Sequence, residues 1–188
     1  NSIRDGRFIH YNNFIRFRVN DHFQEKTKFA FMDTDRRFVN GPDAIDSVFS
    51  DSQFDGNIAN LEEEIELTFN EHYSLVGGGE YEREEMRQLV NKRWDSFDVY
   101  RYGPFLENRF SFFQKTLNFY AGARLSTHEE YGTHESGELS GSYLIEKTNT
   151  RFKGHFGTGF REPALFELFG RTLSSRGVLT IFGNPDLK

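Results

Sequence analysis

Leu106-Glu107-Asn108-Arg109-Phe110-Ser111-Phe112 and, after a short break, Leu117-Asn118-Phe119-Tyr120-Ala121-Gly122-Ala123-Arg124-Leu125-Ser126 decide how this chain folds. In the first stretch Leu106, Asn108, Phe110 and Phe112 alternate with Glu107, Arg109 and Ser111. In the second Leu117, Phe119, Ala121, Ala123 and Leu125 alternate with Asn118, Tyr120, Gly122, Arg124 and Ser126. A period of two places successive side chains on opposite faces of an extended strand. A helix would instead put Phe119 and Arg124 in conflict on one face. The polar break at Gln114–Thr116 turns the chain back, so the pair predicts an antiparallel hairpin with one apolar face.

Working outward, the same pattern recurs. Leu139, Gly141, Tyr143 and Ile145 precede a turn at Glu146–Thr150, and Phe152, Gly154, Phe156 and Thr158 return. Upstream, Leu61, Glu63, Ile65, Leu67 and Phe69 share one face, and Glu62, Glu64, Glu66 and Thr68 the other. A turn at Asn70–His72 leads into Tyr73, Leu75, Gly77, Gly79 and Tyr81. Phe8–Val19 and Thr27–Phe38 form a less regular first hairpin. Four hairpins give about eight strands. Short turns near Asp21, Glu71, Lys115 and Lys147 alternate with longer polar segments at Asn40–Gln53, Arg87–Tyr102 and Thr127–Ser136, which are expected to be loops. Short turns at one end and long loops at the other is the asymmetry of an outer-membrane barrel. A soluble, secreted β-sandwich that binds carbohydrate or protein is the alternative reading of the same strands.

Composition bounds the function. The 188 residues are 36% hydrophobic and 28% charged, with a net charge of −6 and 22 phenylalanines. Such values suit a globular domain and equally a barrel, whose strands need be apolar only at every second residue. No apolar run reaches the ~20 residues of a membrane helix. With no cysteine, disulfides, thiolate metal sites and thiol nucleophiles are out. The acidic balance argues against a nucleic-acid partner. No nucleophile or phosphate-loop motif is present, so neither a catalytic residue nor a cofactor is expected.

Two further motifs sharpen the reading. Gly157-Thr158-Gly159-Phe160-Arg161-Glu162-Pro163-Ala164-Leu165-Phe166-Glu167-Leu168-Phe169-Gly170 is followed, after an interval, by Gly183-Asn184-Pro185-Asp186-Leu187-Lys188. In order and spacing they resemble the late-barrel signature of TonB-dependent outer-membrane receptors. Tyr120–Leu125, His128–Thr133, Gly137–Tyr143 and Gly78-Gly79-Glu80-Tyr81 extend the likeness through well over half the chain. The resemblance implies an antiparallel transmembrane β-barrel. Residues 1–188 would be an incomplete portion of a larger plugged barrel of 22 strands, with plug domain and C-terminal strands absent. It also implies energy-coupled uptake of a scarce ligand such as an iron–siderophore or cobalamin across a Gram-negative outer membrane. The implied partners are outer-membrane lipid, the plug, the TonB complex and a small chelate ligand.

Candidate site residues follow from chemistry. Trp94, Tyr100 and Tyr102, with Arg101 among them, offer stacking and cation–π surface for a chelate in an expected loop; a membrane-interface belt is the competing role. Arg161 adds a cation beside the late motif. Arg109, Arg124, Arg151, Lys153, His155 and Arg161 fall on the polar face, where pairing with Glu107 and other carboxylates is expected. Asp33, Asp35, Asp43 and Asp46 crowd one long segment and are the candidates for calcium, although their spacing is not that of an EF-hand. His128-Glu129-Glu130 and His134-Glu135 lack the spacing of a helical zinc site and read as a polar loop.

Overall fold

A chain that alternates with period two must find partners for its backbone N–H and C=O groups in neighbouring strands. In the computed structural model, which describes residues 2–40, 50–90, 92–173 and 180–187, it does so by repeated antiparallel return. β1 (Ser2–Arg18), β2 (Phe23–Asn40), β3 (Ser50–Asn70), β4 (Tyr73–Val90), β5 (Arg93–Phe112), β6 (Leu117–His128), β7 (Gly132–Ile145) and β8 (Thr150–Gly157) make one sheet. They lie side by side in sequence order, each antiparallel to the next. A single 3-10 turn, Glu146–Thr148, joins β7 to β8. Beyond β8 come a five-residue helix α1 (Leu165–Phe169) and a small ladder of β9 (Arg171–Leu173) with β10 (Thr180–Phe182). The eight long strands share one open sheet rather than two packed ones, which overturns the sandwich reading and is the architecture of a partial barrel.

Strand length carries the main departure from expectation. β1 to β5 run 17 to 21 residues, roughly 55–70 Å at ~3.3 Å per residue. A tilted membrane crossing needs only ~9–11 residues. The surplus absorbs two segments expected as loops. Of Arg87–Tyr102, Arg87–Val90 and Arg93–Tyr102 are strand; of Thr127–Ser136, only Glu129–Tyr131 lies outside strands. In the third, Asn40–Gln53, residues 41–49 lie outside the described residues, and Ser50–Gln53 belong to β3. The physical reason is that ladder hydrogen bonds continue where neither face has to be apolar, so the alternation that marks a strand fades while the strand itself does not. β8 departs the other way, leaving the sheet at Gly157, one residue before Thr158.

Register sorts every side chain to a face. Phe110 lies opposite Phe119, Phe119 opposite Gly141, Leu117 opposite Tyr143, Tyr143 opposite Phe152 and Leu139 opposite Phe156. On this belt face the pattern continues leftward through Tyr73, Leu75, Leu61, Ile65, Leu67, Phe29, Phe31, Ile15 and Tyr11. The apolar band covers about nine residues per strand, from Phe23 to Phe31 on β2 and from Tyr73 to Tyr81 on β4. Phe119, Leu139, Tyr143, Phe152 and Phe156 are all exposed on it. Arg109, Arg124, Arg151, Lys153 and His155 occupy the opposite, charged face. Besides Glu25, Glu63 carries a charge within the band. Its carboxylate accepts a 2.7 Å hydrogen bond from Thr27 across the β2–β3 seam, and its other oxygen has no partner.

Candidate functional site

The charged face is built by two acid-rich strands between cationic ones. Glu62, Glu64 and Glu66 of β3 and Glu80, Glu82 and Glu84 of β4 all point there. Lys28 on β2 lies 2.5 Å from Glu62 and 3.4 Å from Glu64. From the other side Arg101 on β5 reaches Glu80 at 3.2 Å and Glu82 at 3.1 Å. Arg124, one strand further, meets Glu80 at 2.6 Å. Gly103 stands between them. A Cβ there would come within 1.8 Å of the Leu125 carbonyl oxygen, so a side chain is excluded opposite Glu80, whose carboxylate both arginines reach. Arg109 pairs with Glu107 and lies 3.7 Å from Glu66. The wall is thus cross-braced by charge-assisted bonds, as the sequence pattern anticipated.

One end of this face is crossed by the segment that follows β8, here called the strap. Leu165 and Leu168 of α1 are fully buried against Met86 and Val99, with Phe97, Tyr131 and Phe169 around them. Phe97 and Phe169 stack at 4.7 Å. Gln88, 0% exposed, clamps the far side: its amide donates to the Phe169 carbonyl at 3.0 Å and its oxygen accepts from the Arg171 N–H at 2.9 Å. Arg171 pairs with Asp95 at 3.1 Å, and Glu162 approaches Arg101 at 3.6 Å. Tyr131 donates its hydroxyl to the Pro163 carbonyl; burial pushes that hydroxyl up to about 12, so it stays a donor at any physiological pH. At the start of α1, Glu167 accepts from the Ala164 N–H at 2.9 Å and from Arg161 at 2.7 Å. That backbone bond first, and Arg161 second, hold its carboxyl below the ordinary value.

The two late motifs meet in the strap. Gly183 donates its N–H to the Gly170 carbonyl at 2.7 Å, and Asn184 donates to the Glu167 carbonyl at 2.9 Å. A Cβ on Gly170 would lie 2.2 Å from the Phe166 oxygen, and one on Gly183 2.4 Å from the Leu168 carbonyl carbon. Both positions therefore require glycine by close approach.

The candidate residues separate. Trp94, Tyr100 and Tyr102 lie on β5, not in a loop, and face the belt side: Tyr102 is opposite Tyr81, Tyr100 opposite Arg83 and Trp94 opposite Leu89. Arg101 alone of that group lies on the charged face, within ion-pair range of three carboxylates. Arg161 is on the strap, 82% exposed and tied to Glu167. Asp33 pairs with Arg7 at 3.1 Å and Asp35 accepts from Gln53 at 3.4 Å, both on the belt side. Asp43 and Asp46 lie outside the described residues. Among the described residues no three His, Cys, Asp or Glu side chains converge as metal ligands. His128 instead stacks on Tyr131 and His134 on Phe160.

A group not singled out by sequence faces the space beside the strap. Phe38 meets Phe54 edge-on at 6.3 Å, and Phe54 meets Phe166 edge-on at 5.5 Å. Phe38, Phe166 and, further along the same face, Phe8 keep exposed ring surface. Phe8, Phe38 and Phe54 had a legible signal: each stands at the charged-face parity of its strand, where an apolar residue is out of place.

Residues 4–188 match the family model described as "TonB dependent receptor-like, beta-barrel". Among solved structures, the chain is similar to one titled "Copper transporter OprC", with a TM-score of 0.72 at 17% identity. The match covers 93% of this chain and 34% of that one, so the chain spans about a third of the neighbour's length. At that identity the likeness concerns the fold. No curated protein matches the sequence.

Proposed function

The chain belongs to the TonB-dependent receptor β-barrel family, and from that premise we propose that it forms wall of a Gram-negative outer-membrane receptor. The parent takes up a scarce ligand, an iron–siderophore or cobalamin, with energy delivered through TonB. The belt face meets lipid and the charged face lines the lumen, where the parent's plug is seated. The strap lies at the extracellular end, and the short turns at the periplasmic end. The barrel does no covalent chemistry in this reading; it holds, encloses and releases.

The observation that carries the ligand reading is the aromatic run Phe38–Phe54–Phe166 at the extracellular end of the luminal face. Rigid rings offer contact area to a chelate at low entropic cost, and exposed Arg161 adds a cation for an anionic complex. The solved neighbour's title raises copper as cargo. Soft thiolate and thioether donors select cuprous copper. This chain has no cysteine and two methionines, of which Met86 is buried beneath α1. That donor set favours a preformed chelate over a bare copper ion at this part of the wall.

The test uses the full-length parent. Replacing Phe38, Phe54 and Phe166 with Ala is expected to weaken ligand binding by about tenfold, roughly 1.4 kcal/mol, with assembly intact. The same treatment of Trp94, Tyr100 and Tyr102 is expected to leave binding unchanged; loss there and not at the phenylalanines would return the ligand site to β5. Uptake that continues at full rate without TonB would make the parent a passive pore and end the transport proposal.

A further inference from the structure

The charged face of β1 and β2 differs from the wall beside it. Its side chains are those of the even-numbered residues from Arg4 to Arg18 and from Gln24 to Phe38. They include Arg4, Arg16, Arg18, Lys26, Lys28 and Arg36, and no carboxylate. Lys28 is spent on Glu62 and Glu64. Among the described residues the other five form no ion pair, and Arg18 donates only to Gln24, at 3.2 Å. On β5 and β6, by contrast, Arg101, Arg109 and Arg124 all meet carboxylates.

The five gather at two ends. At the upper end Arg4 is opposite Phe38 and Arg36 opposite Phe54, the rings already assigned to the ligand. At the lower end Arg16 and Lys26 are directly opposite each other, with Arg18 one step further down the same face. Like charges so placed destabilise a sheet unless an anion joins them. Both heads lie over the Phe14 ring, at 5.8 and 5.6 Å. Two carboxylates face this cluster from β3: Glu64 opposite Lys26 and Glu66 opposite Gln24. Each is already within reach of another cation, Glu64 of Lys28 at 3.4 Å and Glu66 of Arg109 at 3.7 Å. β8 also carries Arg151 and Lys153 without an ion pair among the described residues, but only toward its short-turn end, beside Leu144 and Ser142.

We propose that the luminal face of β1 and β2 is the lane along which the parent passes an anionic chelate, with Arg4 and Arg36 as its upper station and Arg16, Arg18 and Lys26 as its lower one. The inference rests on the parent being a receptor for a chelate, as proposed above. Charge decides the class of cargo. On β3 and β4 the luminal carboxylates repel an anion and the cations beside them are spent; on β1 and β2 nothing repels it. Spacing decides the number of stations. Lys26 and Arg36 stand ten residues apart on β2, about 33 Å at ~3.3 Å per residue. Exposed charges act over only about 8–10 Å in physiological salt. Between the two ends the face is Phe8, His10, Asn12, Ala30, Met32 and Thr34. A chelate leaving the upper cations therefore meets no strong hold before the lower ones, and passage through separate weak sites is what lets a bound ion move on.

The test uses the full-length parent in cells, with rates counted per assembled receptor. The probes are a trianionic ferric tris-catecholate complex and an uncharged ferric trihydroxamate. The trianion is expected to be taken up in preference. Arg16→Gln with Arg18→Gln and Lys26→Gln is expected to lower the maximal rate for the trianion by about tenfold. Arg4→Gln with Arg36→Gln is expected instead to raise the half-saturating concentration. The charge-conserving set Arg16→Lys, Arg18→Lys and Lys26→Arg should restore the rate, and Arg151→Gln with Lys153→Gln should transport as the unsubstituted parent does. An unchanged maximal rate in the lower Gln variant, an equal loss in the β8 variant, or failure of the parent to prefer the trianion would each overturn the lane. Entry of a large hydrophilic dye through the lower Gln variant would assign that cluster to seating the plug and overturn its role as a station. The transport reading fails separately, if uptake of either complex continues without TonB.

Discussion

Gln88 shows how much one side chain does here. It lies on β4 at a luminal position, is fully buried, and satisfies one carbonyl and one N–H of a segment more than eighty residues away. Gln88→Ala leaves both groups unpaired, at a cost of about 1–3 kcal/mol. Hydrogen exchange across residues 163–171 is expected to quicken while exchange in β6 and β7 stays unchanged. Glu167 makes a second residue-scale case. Its carboxyl is held low by the Ala164 N–H and by Arg161, so its contribution is present above the ordinary value of 4.5 and lost as pH falls through the depressed one. Strap protection is therefore expected to be level from pH 7 to 5 and to decline at lower pH. In Glu167→Gln that decline should shrink. Gln88 was not visible in the sequence, and Glu167 only as a motif position, because each acts on backbone groups whose proximity only the folded strap creates. Gly170 and Gly183 were visible as motif positions, but the reason for glycine, close approach to Phe166 and to the Leu168 carbonyl respectively, was not.

At the scale of a strand, parity did most of the work. The hairpin Leu106–Ser126 was readable because its belt residues are apolar and its luminal ones are not, and the register confirms that division. The upper halves of β4 and β5 were unreadable for the converse reason: Arg83, Glu85, Arg87 and Asp98 are polar on the belt side too, so the sequence there resembles a loop. The same fading of alternation placed Trp94, Tyr100 and Tyr102 in an expected loop, whereas they lie on β5. Parity predicts mutational outcomes. Phe119→Arg places a charge in the lipid-facing band at ~2–4 kcal/mol near its middle, whereas Ser140→Arg faces the lumen. Assembly of the parent is expected to fail in the first and proceed in the second. Asn118 is a poor control, since it is buried and bonded to Ser111 and to the Lys115 carbonyl. Glu63 supplies a more pointed case. Thr27→Val removes its one partner and is expected to destabilise the barrel by about 1–3 kcal/mol. Glu63→Leu in that background should restore stability, as read from urea unfolding in bilayers.

The whole molecule is a wall. Its eight long strands pair in sequence order, and among the described residues few side chains outside the strap are fully buried. An open sheet of this kind keeps unpaired edges at β1 and β8, which further strands close in a barrel. Fold class and strand number were legible because they depend on local alternation and turn spacing. The aromatic run proposed for the ligand was not, because its rings come from β2, β3 and α1 and converge only in three dimensions. The central claim is that one face of this wall meets lipid and the other water. The absence of cysteine makes this segment suited to a direct measurement. Single cysteines are placed at each position from Asn118 to Leu125 in the full-length parent, labelled with an environment-sensitive fluorophore, and read in native outer membranes. The account predicts emission that alternates residue by residue, with Phe119, Ala121, Ala123 and Leu125 reporting lipid and Asn118, Tyr120, Gly122 and Arg124 reporting a polar lumen. Emission without alternation, or alternation in the opposite phase, would contradict it.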